Sequence, residues 1–331
     1  MVHLPFEIVL RVIDALVDFG PTVPVALHPS DWRRRQLQQW LLVSKATNAV
    51  ATRYLYSHCM YIDSQRTLML LVRTVSPPDK RNGDEDGGAA SSCKYLSYIT
   101  SMYLAPLSSK LDDLPAAIWI FELLCLVSPY LKRLTFDLPF GSLSVSHDHL
   151  GVYRYLRDGL ARLERLEELV YMRDIWHLAE GWTIDNPLFW WSRFRGLKKL
   201  AIPWPTWPDW CKLFLSILQR ALPDLQHLIV LRTLPKLQQV HASHIDCFLK
   251  IDRPYTLKVV QLYAESDVGA EEMQSHHPLV ERGANVELHS LPGLTADEDN
   301  FENSRLDVAD FALAAAVEGT LWHLPTIPNH V

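Results

Sequence analysis

Three side chains able to hold a metal, His241, His244 and Cys247, recur every third residue, a spacing that brings them to one face of a helix. A structural zinc takes four ligands, and no fourth candidate stands nearby, so two solvated histidines on a helix are expected there. His276-His277 reads as a surface pair. No G-x-S-x-G, G-x-x-x-x-G-K-[ST] or H-E-x-x-H is present, and no G-x-G-x-x-G follows a strand. Acyl transfer, phosphate cradling, dinucleotide binding and metalloprotease chemistry therefore lack the residues that perform them. The chain is expected to be non-catalytic and to carry neither cofactor nor metal.

Aromatic contact is the chemistry the chain is rich in. It holds 11 Trp, and Trp176, Trp182, Trp190, Trp191, Trp204, Trp207 and Trp210 fall close together. Trp190 and Trp191, in NPLFWWSRF, read as part of a packed layer. Trp204, Trp207 and Trp210 lie in PWPTWPDW, where three prolines stiffen the chain and lower the entropy lost on binding. Trp is enriched at interface hot spots. These three are candidate target-binding residues, with packing between neighbouring structural units as the other reading.

The whole chain sets limits on partners. Its 331 residues are 48% hydrophobic, enough for a sizeable core, and its net charge of −6 argues against a nucleic-acid binder with a basic footprint. Five scattered Cys without a C-x-x-C read as reduced thiols. Glu7, Arg11, Asp14 and Asp18 interrupt the N-terminal stretch that a signal peptide would keep apolar. AAIWIFELLCLV (116–127) is too short to cross a bilayer, which takes ~20 apolar residues, and reads as a core helix. A cytoplasmic or nuclear protein with no membrane partner is expected.

Residues 4–17 read as a helix, with Pro5 at its start, Glu7 near the positive dipole end and Gly20-Pro21 beyond its stop. Ile8, Val9, Val12, Ile13, Leu16 and Val17 form a stripe too broad for a small core, so part of it should meet a partner. A polar loop is expected to run to Arg35, followed by further helix through QQWLLVSKATNAVATRYLYSHCMYI, giving three short helices in about 60 residues. Leu4-Pro5-x-Glu7-Ile8, then Ile13 and Leu16, then Leu41-x-Val43-Ser44-Lys45 and Leu55-Tyr56 resemble the F-box in its divergent fungal form. The resemblance covers roughly residues 3–60 of a module spanning 1–60, with an insertion at 19–36 that carries Arg33-Arg34-Arg35. It implies docking onto the Skp adaptor of a cullin–RING (SCF) ubiquitin ligase, with Leu4, Pro5, Ile8, Leu16, Leu41, Val43 and Ser44 in or beside that interface.

Residues 61–93 read as a connecting segment whose Gly-, Pro- and charge-rich part, 76–92, is a flexible loop. Beyond it a short phrase returns: LSYITS (96–101), LKRLTF (131–136), LEELVY (166–171), LKKLAI (197–202), LQHLIV (225–230) and LKVVQL (257–262), with NVEL (285–288) as a weaker copy. Helix-like stretches separate the copies. A strand and a helix recurring every ~30 residues bury their apolar faces by stacking. The pattern resembles an irregular leucine-rich-repeat solenoid over 94–320, without the family's Asn ladder, followed by a final helix around Val308–Val317 acting as a terminal cap and a tail at 321–331. The fold class expected is α/β: an all-α F-box-like module, then a curved solenoid of parallel strands alternating with helices. Residues between the inward apolars, Arg133, Thr135, Glu168, Val170, Lys199, Ala201, His227, Ile229, Val259, Gln261 and Tyr263 among them, are expected on an open concave face suited to protein recognition. Together the resemblances imply a ligase substrate receptor. The alternative is a solenoid interaction scaffold without ligase function, its N-terminal helices capping the first repeat.

Overall fold

The computed structural model describes residues 5–76, 95–107, 110–143, 145–171, 191–203, 220–232, 256–261, 286–290 and 301–324. The N-terminal helices are α1 (Phe6–Leu16), α2 (Trp32–Trp40) and α3 (Lys45–His58). Ile13, Val17, Leu27, Leu37 and Cys59 form their core. The loop before α2 is shorter than expected, because the Asp31 carboxylate caps the helix by accepting from Arg33 N at 2.8 Å. Arg33, Arg34 and Arg35 therefore stand in helix, not loop. A turn at 41–43 separates α2 from α3, which opens on a capping box: Ser44 Oγ accepts from Thr47 N at 3.1 Å, and Thr47 Oγ1 accepts from Ser44 N at 2.9 Å.

Among the described residues eight parallel strands follow, paired in chain order in one sheet: β1 (Tyr61–Ile62), β2 (Ser101–Leu104), β3 (Arg133–Phe136), β4 (Glu168–Tyr171), β5 (Lys199–Pro203), β6 (His227–Arg232), β7 (Thr256–Gln261) and β8 (Val286–Ser290). Parallel neighbours need crossovers, and the described ones include α4 (Gln65–Val75), α5 (Leu114–Val127) and α6 (Val152–Leu160). These helices pack in sequence, α4 on α5 and α5 on α6, over one face of the sheet. Gly159 permits the α5–α6 approach, since a Cβ there would lie 3.1 Å from Leu124 Cδ1 and 3.4 Å from Phe121 Cα. The fold is thus α/β with a parallel sheet alternating with helices, as expected. The sheet starts earlier than expected: Tyr61–Val75 is its first strand and helix rather than a connector.

The apolar phrase explains the strands. Ile99, Leu131, Leu166, Leu197 and Leu225 enter each turn buried, and the strand residues Met102, Leu104, Leu134, Phe136, Leu169, Tyr171, Leu200, Ile202 and Leu228 point into the helix-side core. Two copies are out of phase with the expectation. Strand β2 spans Ser101–Leu104, so its phrase is Ile99-x-x-Met102-x-Leu104. In β7, Leu257 pairs with Leu228 and Lys258 with Ile229, so Lys258 and not Val259 holds the concave-row register. A slip by an odd number of residues exchanges the two faces of a strand.

Among the described residues, the face opposite the helices is covered across β3 to β6. Helix α7 (Phe301–Glu318) and the turn Leu321–His323 lie across it, with Ala312, Ala315, Ala316, Leu321 and Trp322 packed on Val170, Ala201 and Ile229. The final helix covers a sheet face rather than capping its end. Small side chains on both surfaces allow that close approach.

The segment expected to be an insertion is a buried strap. Pro24, Val25, Ala26 and Leu27 are buried. Val25 N donates to Val317 O at 2.8 Å, Leu27 N to His58 O at 2.6 Å, and Ser101 Oγ to Val25 O at 2.7 Å. The Arg133 guanidinium reaches Val23 O at 2.8 Å. Gly319 has φ +79°, and a Cβ there would lie 2.3 Å from Val23 O. The strap ties the N-terminal helices, the sheet and α7 together.

Candidate functional site

The N-terminal helices carry the first candidate surface. Ile8 and Val12, one turn apart on α1, are 41% and 48% exposed, and Leu42 and Val43 in the α2–α3 turn are 89% and 62% exposed. The turn is held from both sides: Asn48 Nδ2 donates to Leu41 O at 2.8 Å, and the Ser44–Thr47 box fixes the start of α3. Large apolar side chains are thereby presented to solvent on a fixed backbone. Nine large apolar side chains are exposed among the described residues, and Ile8, Val12, Val23, Trp32, Leu42 and Val43 are six of them.

The residues predicted for the adaptor divide by environment. Pro5, Ile8, Val43 and Ser44 are exposed, while Leu16 and Leu41 are half-buried, Leu16 packing on the module core. Leu4 lies outside the described residues. Val12 and Leu42 were not among the predicted set. Val12 sits four residues after Ile8, and Leu42 interrupts the run WLLVS, so the sequence held a signal for both.

The concave row is the second candidate surface, and most of its described part is consumed by the fold. Thr135, Val170, Ala201, Ile229 and Glu168 are buried. Beneath α7, Thr135 Oγ1 and Glu168 Oε1 have no hydrogen-bond partner. Two charge ladders cross the strand starts. Glu167 lies 3.2 Å from Lys132 and 2.8 Å from Lys198, and the Lys198 hydrogen bond leads in holding its carboxyl below the usual range. Glu168 lies 3.5 Å from Arg133 Nε and 4.0 Å from Lys199 Nζ, whose ammonium is 5.4 Å from the Trp322 ring centroid. The signal was legible: the second and third positions of successive phrases read Lys-Arg, Glu-Glu, Lys-Lys. Opposite charges on neighbouring strands favour this pairing order.

Other reactive groups do not converge. The Cys59 thiol is buried and pushed up to about 12, which leaves little thiolate at neutral pH. Burial, then the Arg133 charge, pushes His58 down to about 4. Its ring lies 5.2 Å from Phe19 and 6.0 Å from Tyr54, at the joint between helices and sheet. Trp191 is buried and packs edge-on against Phe194, as expected, whereas Trp190, Trp204, Trp207 and Trp210 lie outside the described residues. So do His241, His244, Cys247, His276 and His277. Among the described residues no three His, Cys, Asp or Glu side chains group as metal ligands, and no helix is long and apolar enough to cross a membrane. A scan against protein-family models and a search of curated proteins both return no match, so the function is argued from these surfaces.

Proposed function

We propose that the protein is the substrate-receptor subunit of an SCF-type cullin–RING ubiquitin ligase. The N-terminal helices act as an F-box that docks the Skp adaptor, and through it the cullin. The sheet and its helices act as a leucine-rich-repeat-like solenoid that holds a target protein. The protein performs no bond chemistry itself. Holding the target beside the transfer machinery raises its effective concentration to ~mM, so ubiquitin transfer by other subunits becomes effectively intramolecular.

One observation carries the reading. Ile8, Val12, Leu42 and Val43 are large, apolar and solvent-facing on a fixed three-helix frame. Burying such side chains against a partner removes apolar area from water, at roughly 25 cal/mol per Å2 before the costs of association. Two of the four, Ile8 and Val43, are positions that the F-box resemblance assigns to the adaptor.

Purified protein should co-elute with a Skp adaptor, and Ile8→Asp and Val43→Asp should each abolish co-elution while leaving the thermal transition unchanged. Both positions are exposed, so unfolding is not the expected consequence. Retained co-elution of both variants overturns the reading.

The buried strap favours a second reading, an interaction scaffold in which the N-terminal helices serve only to close the sheet edge. Deleting residues 1–60 would remove Val25, Leu27 and the contacts to Ser101 and Val317, and would unseat the sheet under either reading. The surface substitutions separate the two readings, because the scaffold binds no Skp adaptor at all.

A further inference from the structure

The strap, the first two strands and α7 enclose a cleft of about 730 Å3. Clefts of ~300–1,000 Å3 suit ligands of a few hundred daltons. Its floor is buried and apolar, made by Ala26 and Leu27 of the strap, Tyr103 of β2 and Val317 of α7. Phe19 and Tyr61 wall it, the Tyr61 ring centroid 4.4 Å from that of Tyr103. The rim is different: Asp18, Asp310 and Glu318 border the opening and are exposed. Among the described lining residues the one guanidinium, Arg33, faces Asp31 at 3.4 Å and lies 5.0 Å over the Phe19 ring.

Two helix ends strengthen the negative rim. Helix α1 stops at Leu16 with Asp18 just beyond, and α7 stops at Glu318, with no basic residue in the last turn of either. The C-terminal end of a helix carries about −0.5 charge and favours cations, so a carboxylate there is unfavourable unless a cation offsets it. The fold places acids at two such ends beside one cleft with an apolar floor and aromatic walls.

We infer that this cleft binds a short peptide segment in which an apolar or aromatic side chain is flanked by lysine or arginine. The apolar side chain enters against Tyr103, Tyr61 and Phe19, and the flanking cations meet Asp18, Asp310 and Glu318. A phosphate-bearing ligand would be repelled by the same rim. That the segment belongs to a ligase target rests on the receptor reading; the binding chemistry does not.

Fluorescence anisotropy of a labelled Lys-Lys-Phe-Lys-Lys peptide with the full chain at low salt tests this. Saturable binding is expected, weakened at least tenfold when Glu replaces each Lys or when Ala replaces Phe. Ala314→Trp, at an exposed lining position, fills the cleft and should abolish binding with the thermal transition retained. The double variant Asp310→Asn and Glu318→Gln should weaken binding tenfold and flatten its salt dependence. Absence of binding, equal binding of the Glu peptide, or unaltered binding by Ala314→Trp overturns the inference. Displacement of the peptide by an equal concentration of phenethylamine also overturns it, by assigning the cleft to a free amine. Skp co-elution of the same variants should be unchanged. Absence of peptide binding by the unaltered chain with intact co-elution therefore sinks the cleft alone, and peptide binding by the unaltered chain without co-elution sinks the ligase reading alone.

Discussion

In the N-terminal helices Ile8, Val12, Leu42 and Val43 stand in solvent, whereas in the sheet Val170, Ala201 and Ile229 lie under the chain's own C-terminal helix. The small module hides Ile13, Val17 and Leu37 and leaves Ile8 and Val12 of its apolar stripe outside, since three short helices enclose too little volume. The sheet has the opposite economy. Its helix side holds one continuous apolar layer from Ile62 to Leu228, and on its other side Ala312, Ala315 and Ala316 cover Val170, Ala201 and Ile229. Partner surfaces are therefore to be sought where closure is incomplete: on α1 and the α2–α3 turn, and in the cleft where α7 meets the strap.

The largest test of that contrast is the strap, which joins the two regions. Gly319→Ala puts a Cβ into Val23 O at a φ that favours glycine, and is expected to cost about 3 kcal/mol or more in urea unfolding. A loss under about 0.5 kcal/mol, as for an unconstrained surface site, would mean that α7 is not held by the strap.

A smaller effect should come from His58 at the same joint, which faces Phe19, Tyr54 and the Arg133 charge. Its ordinary value of 6.5 falls to about 4 in the folded protein, so the native state binds fewer protons than the unfolded chain. Its contribution is complete above about pH 6.5 and is lost as pH falls toward about 4. Urea midpoints should decline from pH 7 to 5, and His58→Phe should decline less over that interval. Equal slopes for both proteins would remove His58 from the joint.

The smallest effect concerns Ser44, which the F-box resemblance places at the adaptor and the structure places at the head of α3. Ser44→Ala should cost about 1 kcal/mol, and Ser44→Asp, which retains a capping oxygen, much less. Equal losses would show that the cap contributes nothing and would leave Ser44 as a contact residue only.

Local pattern accounts for what the sequence made legible. Leu131-x-x-Leu134-x-Phe136 and its counterparts specify strands because alternation places Leu134 and Phe136 on one face, while Leu131 is buried from the turn before the strand. Phase failed in β2 and β7, where Leu96 and Leu257 are apolar residues standing at other points of the phrase. The strap was misread because Pro21 and Pro24 look like loop punctuation, while its burial depends on Ser101, Val317 and Gly319, far away in the chain. The position of α7 was equally hidden: an alanine-rich face matches a row of small strand residues only once the strands are in register. Of the candidate adaptor surface, Ile8 and Val43 were legible from the motif, whereas the exposure of Leu42 depends on how the capping box ends the turn.

The exposed apolar side chains of the N-terminal helices are the surface proposed to meet a Skp adaptor. Size-exclusion co-elution of the full chain with that adaptor, repeated for Val43→Asp, tests it most directly. A stable complex is expected with the unaltered protein and none with the variant, at the same melting temperature. A complex that survives Val43→Asp and Ile8→Asp alike, or no complex with the unaltered chain, would contradict it.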